Sequence, residues 1–196
     1  MNRKIVIASG NEGKIREFRM MLEKEGYSVL SLKDLPDYTE PEETGTTFQE
    51  NAILKAKSVT DRYGLEAIAD DSGLCVAALN GEPGIHSARW MGHDTSYDIK
   101  NEKLIELVKD AEDRTCNYAC AIAWTAPGKE PVVFFDTLYG EVAQERRGTN
   151  GFGYDPIFYL PEYGMTTAEM PLEEKNRISH RGKALAKLEN YLREKR

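Results

Sequence analysis

Residues 69–73 read Ala69-Asp70-Asp71-Ser72-Gly73: two adjacent carboxylates, then a hydroxyl and a glycine. Apolar runs at 65–69 and 74–79 flank them, both short and strand-like, which predicts the acids at a strand end with Ser72 and Gly73 turning the backbone. An unpaired buried carboxylate is very costly, and side chains alternate along a strand. The two acids are therefore not expected to face the core together. Such a pair suits a hard cation such as Mg²⁺, which takes one or two carboxylates plus substrate oxygens. An acidic turn capping the next element has the same composition.

The elements around this stretch carry countercharge. Ile5-Val6-Ile7-Ala8 reads as a buried first strand running into Ser9-Gly10-Asn11-Glu12-Gly13-Lys14, then a helix in which Ile15, Phe18 and Leu22 share a face. Free N–H groups, the positive end of the helix dipole and a lysine coincide there, which makes an anion cradle. It is not a Walker loop, because Gly10 and Gly13 are too close and Ile15 replaces the Ser/Thr. An ordinary strand-to-helix turn is the alternative. Gly26 ends that helix and 27–31 is a second strand. The acidic, proline-bearing segment 33–45 is long enough to fold over a site and deliver a further carboxylate from Glu40, Glu42 or Glu43.

Thr47-Phe48-Gln49-Glu50 is a capping box opening the next helix, with Phe48, Ala52, Ala56, Val59 and Tyr63 as its buried stripe. Lys55 falls about 20° from Phe48 on that wheel, and Asn51 points nearly the same way. A lysine aimed inward beside an asparagine fits an anionic ligand; the alternative is a snorkelling stem.

Later, Asn80-Gly81 marks a turn, and 83–90 is an irregular connection. His86 and His93 have no evident partners and read as structural or solvated. Asp94-Thr95-Ser96 caps a helix carrying Leu104, Leu107 and Val108. Residues 116–124 and 131–138 form an antiparallel hairpin, extended by 140–143. In Arg147-Gly148-Thr149-Asn150-Gly151-Phe152-Gly153-Tyr154-Asp155-Pro156, glycines allow close backbone approach, and Phe152 or Tyr154 can offer a face to a base. A strand follows at 157–160, so this is no dinucleotide fingerprint. A short helix at 171–178 is broken by Ser179-His180-Arg181-Gly182, and a closing helix buries Leu185, Leu188 and Leu192.

Alternating strands and helices followed by a hairpin predict an α/β fold, with a mixed elongated central sheet flanked by helices and two lobes around a substrate cleft. The 196 residues form a single domain on this reading. Three cysteines in apolar stretches make neither a disulfide framework nor a metal site, and a reducing cytoplasm is the simplest setting. No apolar run reaches membrane-spanning length, and the one at 5–8 is too short for a signal peptide. A net charge of −7 argues against binding a nucleic acid polymer.

Ser9-Gly10-Asn11-x-x-Lys14, Glu43-x-Gly45-x-Thr47-Phe48-x-Glu50-Asn51-Ala52-x-x-Lys55-Ala56, Ala69 to Gly73, Gly151 to Pro156 and Ser179-His180-Arg181 together resemble, in the same order, the inosine triphosphate pyrophosphatase family. The resemblance spans essentially the whole chain. It implies a cytoplasmic, homodimeric, Mg²⁺-dependent enzyme that hydrolyses ITP, dITP and XTP to the monophosphate and pyrophosphate. By resemblance, Glu43 and Asp71 hold the metal or its waters, Asp71 is the general base and Asp70 assists. Ser9, Gly10, Asn11, Glu12, Gly13, Lys14, Lys55 and Lys175 would hold the triphosphate. Ser72 and the loop Phe152, Gly153, Tyr154 and Asp155 would line the nucleotide site, with Phe152 stacking on the base and His180 and Arg181 at its edge. Two rivals stay open. A nucleotide sensor would not need the converging acids, and a phosphatase of small esters would not need Phe152 and Arg181.

Overall fold

A computed structural model describes residues 3–195. Seven strands form one mixed sheet: β1 (Arg3–Ile7), β2 (Tyr27–Ser31), β3 (Glu66–Val76), β4 (Thr115–Thr125), β5 (Val132–Val142), β6 (Phe158–Leu160) and β7 (Met165–Thr166). Their hydrogen-bonded order is β2-β1-β3-β4-β5-β6-β7. β1 pairs parallel with β2 and β3, whereas β6 pairs antiparallel with β5 and β7. β4 and β5 are neighbours joined through residues 126–131, a connection too short for a parallel crossover, so the expected hairpin forms. Among the described residues five α-helices accompany the sheet: α1 (Glu12–Lys24), α2 (Phe48–Tyr63), α3 (Tyr97–Val108), α4 (Leu172–Ile178) and α5 (His180–Glu194). The fold is α/β, as the alternation predicts.

The chain divides into two compact units. The first takes residues up to Asp71, 120–136 and from Ala184 on; the second takes 72–119 and 137–183. β3, β4 and β5 each contribute residues to both.

Within the first unit, strand alternation builds two cores. Ile5, Ile7, Ile68, Ile122 and Trp124 pack with Phe18 and Leu22 of α1 and Leu188 and Leu192 of α5. Val6, Ala8, Ala67, Ala69, Ala121 and Ala123 pack instead under Ala52, Ala56 and Val59 of α2. Strands buried on both faces read as continuous apolar runs, which is how 5–8 and 119–124 look in the sequence. Parity then decides the acids: Asp70 continues the Ile68 row facing α1, and Asp71 continues the Ala67–Ala69 row facing α2.

The second unit has one core, in which Leu74, Val76, Leu104, Val108, Tyr118, Phe158 and Met170 pack together with Trp90 against them. Of the three apolar residues noted on this helix, α3 turns Leu104 and Val108 to the core, while Leu107 is 46% exposed. β7 was not signalled by the sequence, being two residues long.

Candidate active site

β3 runs unbroken through Asp70, Asp71, Ser72 and Gly73, so the predicted turn is absent and the acids lie mid-strand. Both are buried, at 2% and 7% exposure, against the expectation that they could not share the interior. Countercharge removes the objection, because each face of the strand meets its own lysine. Lys14 Nζ lies 2.8 Å from Asp70 Oδ2. Lys55 Nζ lies 2.9 Å from Glu43 Oε1 and 3.7 Å from Asp71 Oδ1. The inward aim read for Lys55 and Asn51 holds, at 8% and 0% exposure.

Local sequence explains each placement. Asn11 caps α1 by accepting from the Lys14 N–H at 3.1 Å, and Ser9 Oγ accepts from the Asn11 N–H at 3.1 Å. These side chains shape the cradle while Lys14 reaches Asp70. Glu12 lies at the surface, paired with Lys33 at 2.8 Å. Thr47 caps α2 by accepting from the Glu50 N–H at 3.0 Å, but Glu50 answers Thr46 at 2.7 Å, not the cap residue as a full box would. The acidic segment 33–45 is tied to α2 by the Gly45 N–H donating to Asn51 Oδ1 at 2.8 Å. Of its three glutamates, Glu43 is the one held by Lys55.

Burial pushes the Asp71 carboxyl up to about 6, with Glu43 and Asp70 adding to the rise and Lys55 and Asn51 opposing it. Burial alone would lower Lys55, but Asp70, Asp71 and Glu43 overcome that and raise it. The cluster is therefore a lysine held firmly charged beside a carboxyl of unusually high proton affinity.

The second unit holds a different constellation. Phe152 is 53% exposed while Tyr154 is 4% exposed, so the loop offers one free aromatic face. Tyr154 is core: its hydroxyl donates to Ser87 O at 2.6 Å and Tyr97 packs on it edge-on. Over the Phe152 ring stand Lys175 at 5.1 Å and Arg181 at 5.7 Å from the centroid. Arg181 Nη2 also donates to Ser72 Oγ at 3.3 Å. Lys175 thus stands over the aromatic ring and 2.5 Å from Asp155. The Gly153 carbonyl accepts from Asn101 Nδ2 at 3.1 Å. At Gly151 (φ +73°) an added Cβ would lie 2.1 Å from Asp155 Oδ2, so only glycine lets that carboxylate reach back under the loop.

The helix break is Ser179 alone, and His180, Arg181 and Gly182 form the first turn of α5. Ser179 Oγ accepts from the Gly182 N–H at 3.0 Å, which starts the helix at once. His180 stacks on Tyr118 at 4.7 Å. Sequence reasoning missed Tyr118 and Thr167, whose hydroxyls both donate to Asp155. A phenol on the same strand face as Cys116 and Cys120 was the available signal, since a buried Tyr O–H needs a partner.

The acids of the first unit fit a divalent cation. Asp71 Oδ2 is buried with no hydrogen-bond partner among the described residues, and Glu43 stands on the same lysine. No group of three or more His, Cys, Asp or Glu is placed to hold a metal ion among the described residues; the carboxylates of Asp71 and Glu43 both lie by Lys55.

Residues 5–191 match the model of the Ham1 family. A curated dITP/XTP pyrophosphatase of Geobacter sulfurreducens is 46% identical over 191 residues, covering 96% of each chain. One from Geobacillus kaustophilus is 49% identical over 194 residues, covering 98% of this chain and 95% of that one. The solved structure of the Staphylococcus aureus Ham1 protein superposes with a TM-score of 0.93 at 44% identity, over 99% of this chain and 100% of that one.

Proposed function

The chain belongs to the Ham1 family, and from that we propose that it hydrolyses the non-standard purine nucleoside triphosphates dITP, ITP and XTP at the α-phosphorus. Water attacks, an O–P bond forms at the α-phosphorus, and the bond to the bridging oxygen breaks. Pyrophosphate leaves with the electron pair and the monophosphate remains. The observation that carries this reading is the cluster Glu43, Asp70 and Asp71 interleaved with Lys14 and Lys55, with Asp70, Asp71 and Lys55 buried.

Asp71 is the general base in this proposal. A carboxyl raised to about 6 is ionised at neutral pH yet accepts a proton far better than an ordinary aspartate. Glu43 and Asp71 would hold Mg²⁺, which supplies Lewis-acid charge to the phosphate oxygens when bound. Lys14 and Lys55 offset the negative charge of the triphosphate, with the Ser9–Lys14 turn offering its N–H groups. Phe152 stacks on the purine, worth roughly 1–3 kcal/mol and indifferent to the base edge. Arg181 is donor-only and favours the 6-oxo group over a 6-amino group. We place the enzyme in the cytoplasm as a homodimer, a reading supported by the reduced cysteines and by the family resemblance; no helix among the described residues is long and apolar enough to cross a membrane.

One assay decides. With dITP and Mg²⁺ the reading requires pyrophosphate and dIMP. Orthophosphate alone would make the protein a phosphatase, and no product with retained binding would make it a sensor.

A further inference from the structure

Asp155 is 2% exposed, and the donors around it fill it. Its Oδ1 accepts from the Tyr118 hydroxyl at 3.2 Å and the Thr167 hydroxyl at 2.8 Å. Its Oδ2 accepts from the Phe152 N–H at 2.9 Å and from Lys175 Nζ at 2.5 Å. A carboxylate has about four lone-pair sites, so none remains for a ligand. The charge is already met by Lys175, and the two hydroxyls add no countercharge. What they add is orientation, because the terminal torsion of an aspartate is otherwise broad. With Oδ1 pinned, Oδ2 is aimed at the loop amide and at the ammonium that stands over the Phe152 ring.

Tyr118 is well built for this. It lies on β4, stacked on Phe158 at 4.2 Å and 7° and on His180 at 4.7 Å and 23°. Burial, with Asp155 nearby, holds its phenol well above the usual value, so it donates throughout the working pH range. One rigid ring thus touches both the carboxylate under the loop and the histidine that precedes Arg181.

We infer that Tyr118 and Thr167 are positioning residues for the base: through Asp155 they fix the Phe152 amide and Lys175, and hence the ring on which the purine stacks. This rests on the reading of Phe152 as the purine platform. Tyr118→Phe keeps the ring stack and Thr167→Val keeps the shape, each losing only a hydroxyl. In the double variant, exchange of the Phe152 amide hydrogen should accelerate at least tenfold, with amides of β1 and β3 unchanged. For dITP with Mg²⁺, KM should rise about five- to tenfold with kcat within twofold of the parent. In a Phe152→Ala background the same two substitutions should leave KM unmoved. A KM penalty equal in both backgrounds means general structural damage and overturns the inference, as does unaltered Phe152 exchange. Should the double variant not fold, Tyr118→Phe alone carries the test, with exchange at least threefold faster expected and parent-like exchange refuting it. If the parent protein releases no pyrophosphate from dITP, the proposed function fails, while amide exchange still decides whether the two hydroxyls hold the loop.

Discussion

A carboxylic acid buried beside two other carboxylates keeps its proton longer than an exposed one, and Asp71 is so placed. Asp71→Asn should retain the fold by circular dichroism and lower kcat roughly 10²-fold or more, the scale of a lost general base; near-parent turnover would leave Asp71 a structural residue. The same raised value has a consequence for stability. The folded state holds the proton more tightly than the unfolded state, so the contribution is favourable at low pH and is lost as pH rises through about 6. Without metal, Asp71→Asn should therefore melt higher than the parent above pH 6, by on the order of 2–3 kcal/mol, and the gap should close towards pH 4. Equal melting curves at pH 8 in EDTA would contradict this. Base selection is argued at the same scale. Arg181→Ala should cost ITP about 10- to 150-fold in kcat/KM and ATP far less, the worth of a charge-assisted hydrogen bond. Phe152→Ala should lower both in proportion. If Arg181→Ala lowers both equally, the arginine serves phosphate or structure.

At the level of elements, α2 supplies Asn51 and Lys55 one turn apart, so one helix both ties down the acidic segment and meets Asp71. Lys55→Ala should lower kcat/KM for ITP and XTP by the same factor, leaving their ratio constant; full activity with only a lower Tm would mean the lysine merely neutralises Glu43 and Asp71. The α4–α5 junction is tighter still. An added Cβ at Gly182 would lie 1.7 Å from Asn176 O, so Gly182→Ala must push the two helices apart, costing about 1–3 kcal/mol and displacing Arg181. Its Tm should fall, and ITP efficiency should fall with it. The sequence showed which residues would matter here and misread how the chain carries them. Asp-Asp-Ser-Gly and Ser-His-Arg-Gly both look like breaks, because their residue types are those of turns. The first is regular strand held by lysines on either face, and the second breaks only at Ser179, which at once starts the next helix. Local propensity lost to tertiary partners that no local pattern displays.

For the whole molecule, the α/β class, the mixed sheet and the strand–helix order were legible, because apolar periodicity records burial directly. The site was legible in part. Lys55 and Asn51 announced themselves as polar residues on an apolar helix face, whereas the pairing of Lys175 with Asp155 depends on the fold bringing α4 to the loop. Tyr118 was hidden inside an otherwise core-forming strand, on the face it shares with Cys116 and Cys120. Two lobes were expected, but where the chain crosses between the two units was not readable, since β3, β4 and β5 pass through both without any change in composition.

The two tryptophans fall one to each unit: Trp124 in a core of the first, Trp90 packed on the core of the second. The protein therefore carries a separate fluorophore in each half, and replacing either with phenylalanine leaves a reporter for the other. Three shared strands oppose independent melting, so the emission shifts of Trp124 and Trp90 in urea should trace one midpoint. Two midpoints would reveal halves that unfold one at a time. In that event the colour of the light would say which half lets go first.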